Sequence, residues 1–580
     1  MKMKRMKAIP AMLLAAVLVA GLFPALPAAA AGDIYVNGPD SVLAGALDGA
    51  FAVGGGGTSL VSGSYVLTAD GVVTIDGQSG SSGGSSGNSE RPGRDETSPT
   101  PEHLSVTGSI TLPYSVFRVG LYYYDGTSSV RNGTLESANL ENDVGSGYKF
   151  GYYDSSRVFH EVGYTSDTTI TMAMDRNVTI SSGVSIGCYH VLLPGSYGSF
   201  EEASGAASQY SDGFPAYYDG SYYVLCGDYE SADEAYAAAQ SMGISGAEAY
   251  SASNRCVTVV NTKTGRVLFE FDCGSELNLA VSPQSSSGKA VTWFRGNRYY
   301  GDFEYVRRSG EKLTVINIVN IEDYVKGVIP YEMSGSWPKE ALKAQALCAR
   351  TFAANHFNSN SFYGFDVTND TYSQVYRGLT GATANSNAAV DETAGIYILY
   401  KGEPISAMYC SSNGGATEDS ENVTGSAVGY LRGKVDSFEA AADSINGHSS
   451  WSYTFTRREL AEKANTRGFS IASADAIEIS WSDTGNVIGM KLTDSNGRSA
   501  TFSGSACYSF CTALLGLDSI SFEIEENGDN VTFVGSGWGH NLGLSQFGAY
   551  AMADTYGFTY DQIVNFYYTD ITLAQANYTN

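Results

Sequence analysis

Positive charge is scarce in this sequence: 34 lysines and arginines face 61 acidic residues, for a formal net charge of −27. A chain this acidic is poorly suited to holding nucleic acid or anionic lipid by charge, and suits a neutral or basic partner. Cysteine is sparse as well. The eight, Cys188, Cys226, Cys256, Cys273, Cys348, Cys410, Cys507 and Cys511, include no C-x-x-C pair, which excludes a disulfide scaffold. An even count in an exported chain allows a bridge or two, and buried free thiols fit equally well. Beyond the N-terminus no apolar run is long enough to span a bilayer.

What is present begins with an export signal. Lys2, Lys4, Arg5 and Lys7 precede an apolar stretch from Ala8 to Leu26, and Ala29-Ala30-Ala31 offers a cleavage site before Gly32. Pro10 and Pro24 interrupt the stretch, which favours cleavage over retention as an anchor. The expected location is outside the cell, in the wall, or at the membrane if the leader is kept. The 580 residues suggest three or four domains at ~150 residues each, and the 67 glycines and 40 tyrosines suit strands, turns and exposed aromatic surfaces.

The expected organisation is a leader over 1–31, a short β-leaning segment over 32–78, a flexible linker over 79–102 and a β-rich segment over 103–182. The linker reading rests on SGSSGGSSGNSERPGRDETSPTPE, a composition that buries too little apolar surface to offset its ordering entropy. The order then becomes β-α-β-β-α-β over 183–261. Cys188 to Leu193 reads as a strand, and Ser199 with Glu202 opens a helix at capping-box spacing. Two strands flank the Asp219-Gly220 turn. Ser231-Ala-Asp-Glu234 caps a second helix ending near Gly243, and Ala249 to Val259 gives a last strand. This order and the half-repeats "GSY…SFEEA" and "GDY…SADEA" resemble the sporulation-related repeat, the SPOR domain. The resemblance implies a module that binds glycan strands stripped of their peptides. Tyr189, Tyr197, Tyr217, Tyr218, Tyr222 and Tyr223 are candidates to stack on sugars or to pack as ordinary strand aromatics.

Residues 262–576 read as one mixed α+β domain, making the whole chain a multidomain α+β protein. Lys312 to Asn320 is a β-branched buried strand. Asn320 caps a helix, a turn-rich segment runs from Pro330 to Pro338, and a long helix follows with an apolar stripe of Ala341, Ala344, Cys348, Phe352 and Ala353. Glu332 is expected in a rigid loop between the two helices, where a carboxyl can be aimed into a cleft.

Four ordered motifs carry a second resemblance: YVKGVIPYEMSGSWPKEALKAQALCARTFA, the Tyr372-Ser-Gln-Val-Tyr-Arg-Gly378 element, Tyr409-Cys-Ser-Ser-Asn-Gly-Gly-Ala-Thr-Glu418, and the Gly535 to Ala549 loop with His540, Ser545 and Gln546. Together they resemble the stage II sporulation protein D and amidase-enhancer family of lytic transglycosylases. The resemblance implies cleavage of the MurNAc-GlcNAc bond of peptidoglycan glycan with formation of 1,6-anhydro-MurNAc ends. One acid suffices for this. It protonates the bridging oxygen, then deprotonates the muramic C6 hydroxyl. The matching position is Glu332. Gln345, Arg350, Tyr372, Gln374, Tyr376, Asn413, Glu418, His540, Ser545 and Gln546 are the candidate substrate-binding residues, with a buried structural hydrogen bond the competing role for Gln345 and Arg350.

Among other acids, Glu340, Glu322 and Asp323 sit at helix starts and suit dipole or capping roles. The glycine loop lacks the P-loop lysine, which excludes nucleotide binding. Its glycines are read as letting the backbone approach a sugar. Some members of the family carry zinc bound by His and Cys in the segment leading into the Gln-Val-Tyr element. Here Tyr363 to Ser373 offers neither, and His356 and Cys410 do not make a tetrahedral site, so no metal and no cofactor is expected. The partners expected are glycan strands and, under the alternative reading of a non-catalytic enhancer, a cell-wall amidase.

Overall fold

The computed structural model describes residues 91, 92, 94, 97–124, 133–142, 144–308 and 312–579. The expected leader, the 32–78 segment and most of the expected linker lie outside these. The chain divides into two compact units. One comprises 108–332, 349–396 and 575–580; the other comprises 333–348, 397–574 and the described residues up to Thr107.

The first unit is dominated by two sheets. Seven strands lie in the order Val367–Thr368, Val116–Tyr122, Leu313–Asn320, Asp302–Arg307, Leu279–Gln284, Gly147–Tyr153 and Phe159–Thr165. The β-branched run Leu313–Asn320 is buried at every position but its last, as a strand covered on both faces requires. The second sheet has ten strands. Seven of them, with two helices, are β1 (Thr169–Met174), β2 (Tyr189–Leu192), α1 (Phe200–Ala207), β3 (Gly213–Tyr218), β4 (Ser221–Tyr229), α2 (Ala232–Met242), β5 (Glu248–Tyr250), β6 (Val257–Asn261) and β7 (Val267–Asp272). The strand order is β5-β2-β4-β3-β7-β6-β1, continued by Ser137–Glu141, Thr292–Phe294 and Asn297–Tyr299.

The β-α-β-β-α-β order is present from β2 to β5, with every pairing inside it antiparallel. Local chemistry sets its corners. Asp219 (φ 45°) and Gly220 (φ 88°) make the tight turn between β3 and β4, the conformation that Asp-Gly favours. The Ser231 and Glu234 side chains cap α2 reciprocally, and Gly243 closes it at φ 64°. The expected last strand, Ala249 to Val259, is instead two strands, β5 and β6. Between them Asp272 holds the Ser253 backbone N–H at 2.7 Å and its hydroxyl at 2.9 Å, which turns the chain. The boundaries expected at 182/183 and 261/262 both fall inside this unit: β3 continues the sheet through a parallel pairing with β7, and β6 pairs with β1.

In the second unit, two three-stranded sheets enclose a core that includes Leu460, Met490, Phe502, Phe510, Phe522 and Phe533. All eight cysteines are free thiols. Residues read as flexible linker are bound here. Arg94 donates to the carbonyls of Thr484 (2.9 Å) and Gly414 and to Asn486 Oδ1 at 3.0 Å. Arg91 reaches the Gly485 carbonyl at 2.9 Å, Ser98 bonds Val435 and Ser437, and the Pro101 carbonyl accepts from Gln562 at 2.9 Å. The entropy argument holds for a serine-glycine run, but it omits what two arginines gain from carbonyls hundreds of residues away.

Candidate functional site

Helix α3 (Ile321–Glu332) follows directly on the buried strand, and Asn320 Oδ1 accepts the Glu322 N–H at 3.0 Å. Glu332 is its last residue, half-buried, and not in a separate loop. Pro330 lies inside the helix and removes one backbone bond. Burial of Tyr324, Val325, Val328 and Ile329 on the inner face carries the helix past it. The Tyr324 hydroxyl donates to Gln374 Oε1 at 3.0 Å, and its phenol is pushed well up, by burial first and then by the Glu332 and Asp366 charges. Tyr376 packs 5.0 Å from the Tyr324 ring and donates to Asn317 Oδ1 at 2.7 Å. A Cβ at Gly327 would stand 2.4 Å from the Tyr376 ring, so the Gln-Val-Tyr element is seated against α3. Gln374 and Tyr376 are buried, while Tyr372 is exposed.

Arg350, on α4 (Lys339–Asn355), is fully buried. It grips Glu322 at 2.6 Å and the carbonyls of Val390 and Ile396 at 3.3 Å. That is the structural role weighed for it. Asp323 is held by Lys289, and Glu340 accepts from Lys343 at 2.8 Å and from the Tyr560 N–H at 2.9 Å.

The second unit joins two motifs lying more than a hundred residues apart. Strand β8 (Tyr409–Cys410) pairs in parallel with β9 (Leu544–Ser545). Ser412 and Trp538 exchange backbone bonds, Asn541 Nδ2 donates to the Asn413 carbonyl at 2.8 Å, and the Glu418 N–H donates to the Asn541 carbonyl at 2.8 Å. The loop glycines serve this joint. A Cβ on Gly539 (φ 126°) would meet Cys410 Cβ at 2.7 Å, and one on Gly543 (φ 66°) would meet the Met408 carbonyl at 2.1 Å. The close approach read as room for a sugar is thus an approach to the chain's own backbone.

Two acids that sequence reasoning missed organise the joint. Glu439 accepts from Ser412, from the backbone N–H groups of Asn413 (3.1 Å) and Gly414 (3.2 Å), and from Ser545 at 2.5 Å. Asp436 accepts from Asn413 Nδ2 at 2.8 Å and the Tyr567 hydroxyl at 2.7 Å. Burial, then the Asp436 charge, pushes Glu439 up to about 7. No sequence signal marks these acids, since neither lies in a recognisable motif. Glu418 is buried and accepts from Asn422 and Ser482. Ser545 caps α5 (Gln546–Asp554) through the Gly548 N–H. Gln546 donates to Gln345 Oε1 at 3.5 Å, and Gln345 Nε2 is buried without a partner among the described residues. His540 Nδ1 accepts the Leu542 N–H at 3.0 Å, and burial pushes the ring down to about 4, so it is neutral at ordinary pH. Trp538, in contrast, is exposed and lies 4.5 Å from the His448 ring.

His356 bonds the Phe352 carbonyl, and Cys410 is buried. Among the described residues neither belongs to a metal-ligating cluster. No helix of the described residues is long and apolar enough to cross a membrane.

The sequence profile of the stage II sporulation protein family matches residues 309–400. The chain is 31% identical to "Stage II sporulation protein D" of Bacillus subtilis over 45% of this chain and 76% of that protein. It is 30% identical to "Amidase enhancer" of the same organism over 43% of this chain and 40% of that one. An uncharacterized protein of Brachyspira hyodysenteriae is 34% identical over 57% of this chain and 84% of its own length.

Proposed function

Because the chain belongs to the stage II sporulation protein D and amidase-enhancer family, we propose that it is a peptidoglycan lytic transglycosylase acting in the wall of a sporulating cell. The observation that carries this reading is Glu332, a half-buried carboxyl at the end of α3 beside Tyr324 and the Gln374-Val-Tyr376 element. A carboxyl in this place is a candidate to protonate the leaving oxygen as general acid. The same carboxylate then removes the proton of the muramic C6 hydroxyl, and the ring closes as a 1,6-anhydro end. In the unit that carries Glu332, exposed Tyr372 is an aromatic surface suited to a sugar ring. Gln345, whose buried Nε2 has no partner among the described residues, is the candidate donor to an N-acetyl group. Gln374 and Tyr376 brace the helix that ends at Glu332 through their bonds to Tyr324 and Asn317, and Arg350 anchors its start through Glu322. Asn413, Glu418, His540, Ser545 and Gln546 hold together the joint of the second unit.

We further propose that the β2-to-β5 module binds glycan lacking stem peptides, through its half-buried Tyr189, Tyr197, Tyr222 and Tyr223. Tyr218 is excluded from such a role, being buried and bonded to Glu270. A second reading, a non-catalytic scaffold that assists a cell-wall amidase, is favoured by the likeness to the amidase enhancer.

The deciding test is digestion of purified glycan by wild type and Glu332→Gln. Anhydro-ended products from the wild type, lost by ~100-fold or more in the variant, are expected for a general acid/base. No products from either, with stimulation of an added amidase, establishes the second reading.

A further inference from the structure

We propose that Asp175, His190 and Glu270 form a binding site for a divalent first-row transition cation inside the ten-stranded sheet. His190 lies on β2, Glu270 on β7, and Asp175 directly follows β1. In the sheet order β2 and β7 are three strand spacings apart, ~14 Å in a flat sheet. Yet His190 Nε2 stands 2.8 Å from Glu270 Oε1 and 3.9 Å from Asp175 Oδ1. The sheet therefore curls until these side chains converge on one buried point, with a donor atom of each within 4.8 Å of the others. His190 and Glu270 are 0% exposed.

Three features make this a ligand set. The His190 Nδ1–H is directed at the Gly227 carbonyl, 2.6 Å away. This leaves Nε2 facing two carboxylates, an arrangement that calls for a positive charge among them, a proton or a metal ion. A backbone carbonyl on the far nitrogen is the usual way a metal-binding histidine is oriented. Second, His190 Nε2 and Asp175 Oδ1 make no hydrogen bond with any described residue, although both are buried. Glu270 Oε1 is close to Nε2 but lies off the ring N–H direction, as expected for two ligands aimed at a shared ion and not at each other. Donors around a tetrahedral ion stand ~3.4 Å apart for bonds near 2.0–2.1 Å, which the 2.8 and 3.9 Å separations straddle. Third, Glu270 is itself positioned, accepting from the Tyr218 hydroxyl and from Thr258 Oγ1 at 3.2 Å. When an ion displaces the proton from His190, the imidazole and the two carboxylates together carry two negative charges. Arg307, bonded to the Cys256 carbonyl at 2.6 Å, offsets one, and a divalent ion supplies the remaining charge and fills the vacant coordination. Mixed nitrogen and carboxylate donors suit Zn²⁺ or Mn²⁺. The ligand spacings, 15 and 80 residues, resemble no local motif, so no sequence signal marks them.

The test uses the purified chain, stripped with chelator and titrated with ZnCl₂ or MnCl₂. Bound metal is measured by elemental analysis after gel filtration, and Tm is followed with added metal. One bound equivalent and a raised Tm are expected. Asp175→Asn and Glu270→Gln, checked for folding by circular dichroism, are expected to lose affinity by more than the roughly 10–100-fold that loss of an outer-shell partner causes. Should the variants misfold, the Co²⁺-loaded wild type decides. Visible bands of a nitrogen–oxygen site without a thiolate charge-transfer band support the proposal, and a thiolate band overturns it. Substoichiometric metal on the wild type also overturns it, as does unchanged affinity in folded variants. A Tm that responds to pH but to no metal, the behaviour of a plain buried His–Glu ion pair, does the same.

Discussion

Glu439 takes four donors from two loops, and no water-exposed side chain takes part in that knot. Its amide analogue, Glu439→Gln, keeps one acceptor oxygen and turns the other into a donor facing donors. Two of the four bonds are lost, and the expected cost is about 2–4 kcal/mol, read as a lowered denaturation midpoint. The pH dependence has a definite sign. Glu439 is raised in the fold from 4.5 to about 7, so the native state holds the proton more tightly. That stabilisation is complete below 4.5 and is lost as pH rises through 7. His540 behaves oppositely: its folded value, about 4 against 6.5, makes stability fall as pH drops from 6.5 toward 4. In the wild type the two slopes oppose each other. Glu439→Gln is expected to unmask the histidine, giving a unit that weakens steadily on acidification below 6.5. A variant whose stability profile stays parallel to the wild type would refute the assignment. Glu332 is a candidate from sequence because its neighbours form a continuous motif. Glu439 is not, because its partners, Ser412 and Ser545, are joined to it only by the fold.

At the level of elements, what was legible was local. The Ser231 cap, the Asp219-Gly220 turn and the strand before α3 each follow from residues a few positions apart. The segment ending at Pro101 was misread for the opposite reason: its composition predicts disorder, and its order comes from distant carbonyls. Pro330 predicts a helix end by local rule, and burial of the inner face carries α3 past it to Glu332. The bound segment gives a graded prediction. Arg94 is largely buried, and burial lowers its pKa to about 9, still well above ordinary pH. It therefore remains charged and ties two backbone carbonyls and the Asn486 side chain together. Arg94→Ala should cost about 2–3 kcal/mol, as loss of several charge-assisted bonds does. Arg91 faces Glu523, which is 61% exposed, and Arg91→Ala should cost under ~1 kcal/mol. Thermal melts of the two variants compare them directly, and equal costs would show that the segment is held by something other than Arg94.

Over the whole molecule, the sequence divides where the first unit does not. Its β-α-β-β-α-β order was correctly read, yet the module ends on an unprotected strand. In the intact chain β3 is covered by β7 through Ala216, Tyr217 and Tyr218 opposite Glu270, Phe271 and Asp272. The core beneath it also borrows Ala173, Val178 and Ile180 from one side and Val267 from the other. A fragment of residues 185–260 would leave that strand edge and those apolar contacts open, the condition for edge-to-edge association. It is expected to aggregate or to give poorly dispersed amide resonances. In the intact chain, limited proteolysis is expected to spare the 182/183 and 261/262 positions, because the strands flanking them are paired. Glycan binding by the module should for this reason be measured on the whole chain, with Tyr222→Ala and Tyr223→Ala as the perturbations. A soluble 185–260 fragment with dispersed resonances and a cooperative melt would show that the module folds alone and that its sheet neighbours only lean on it.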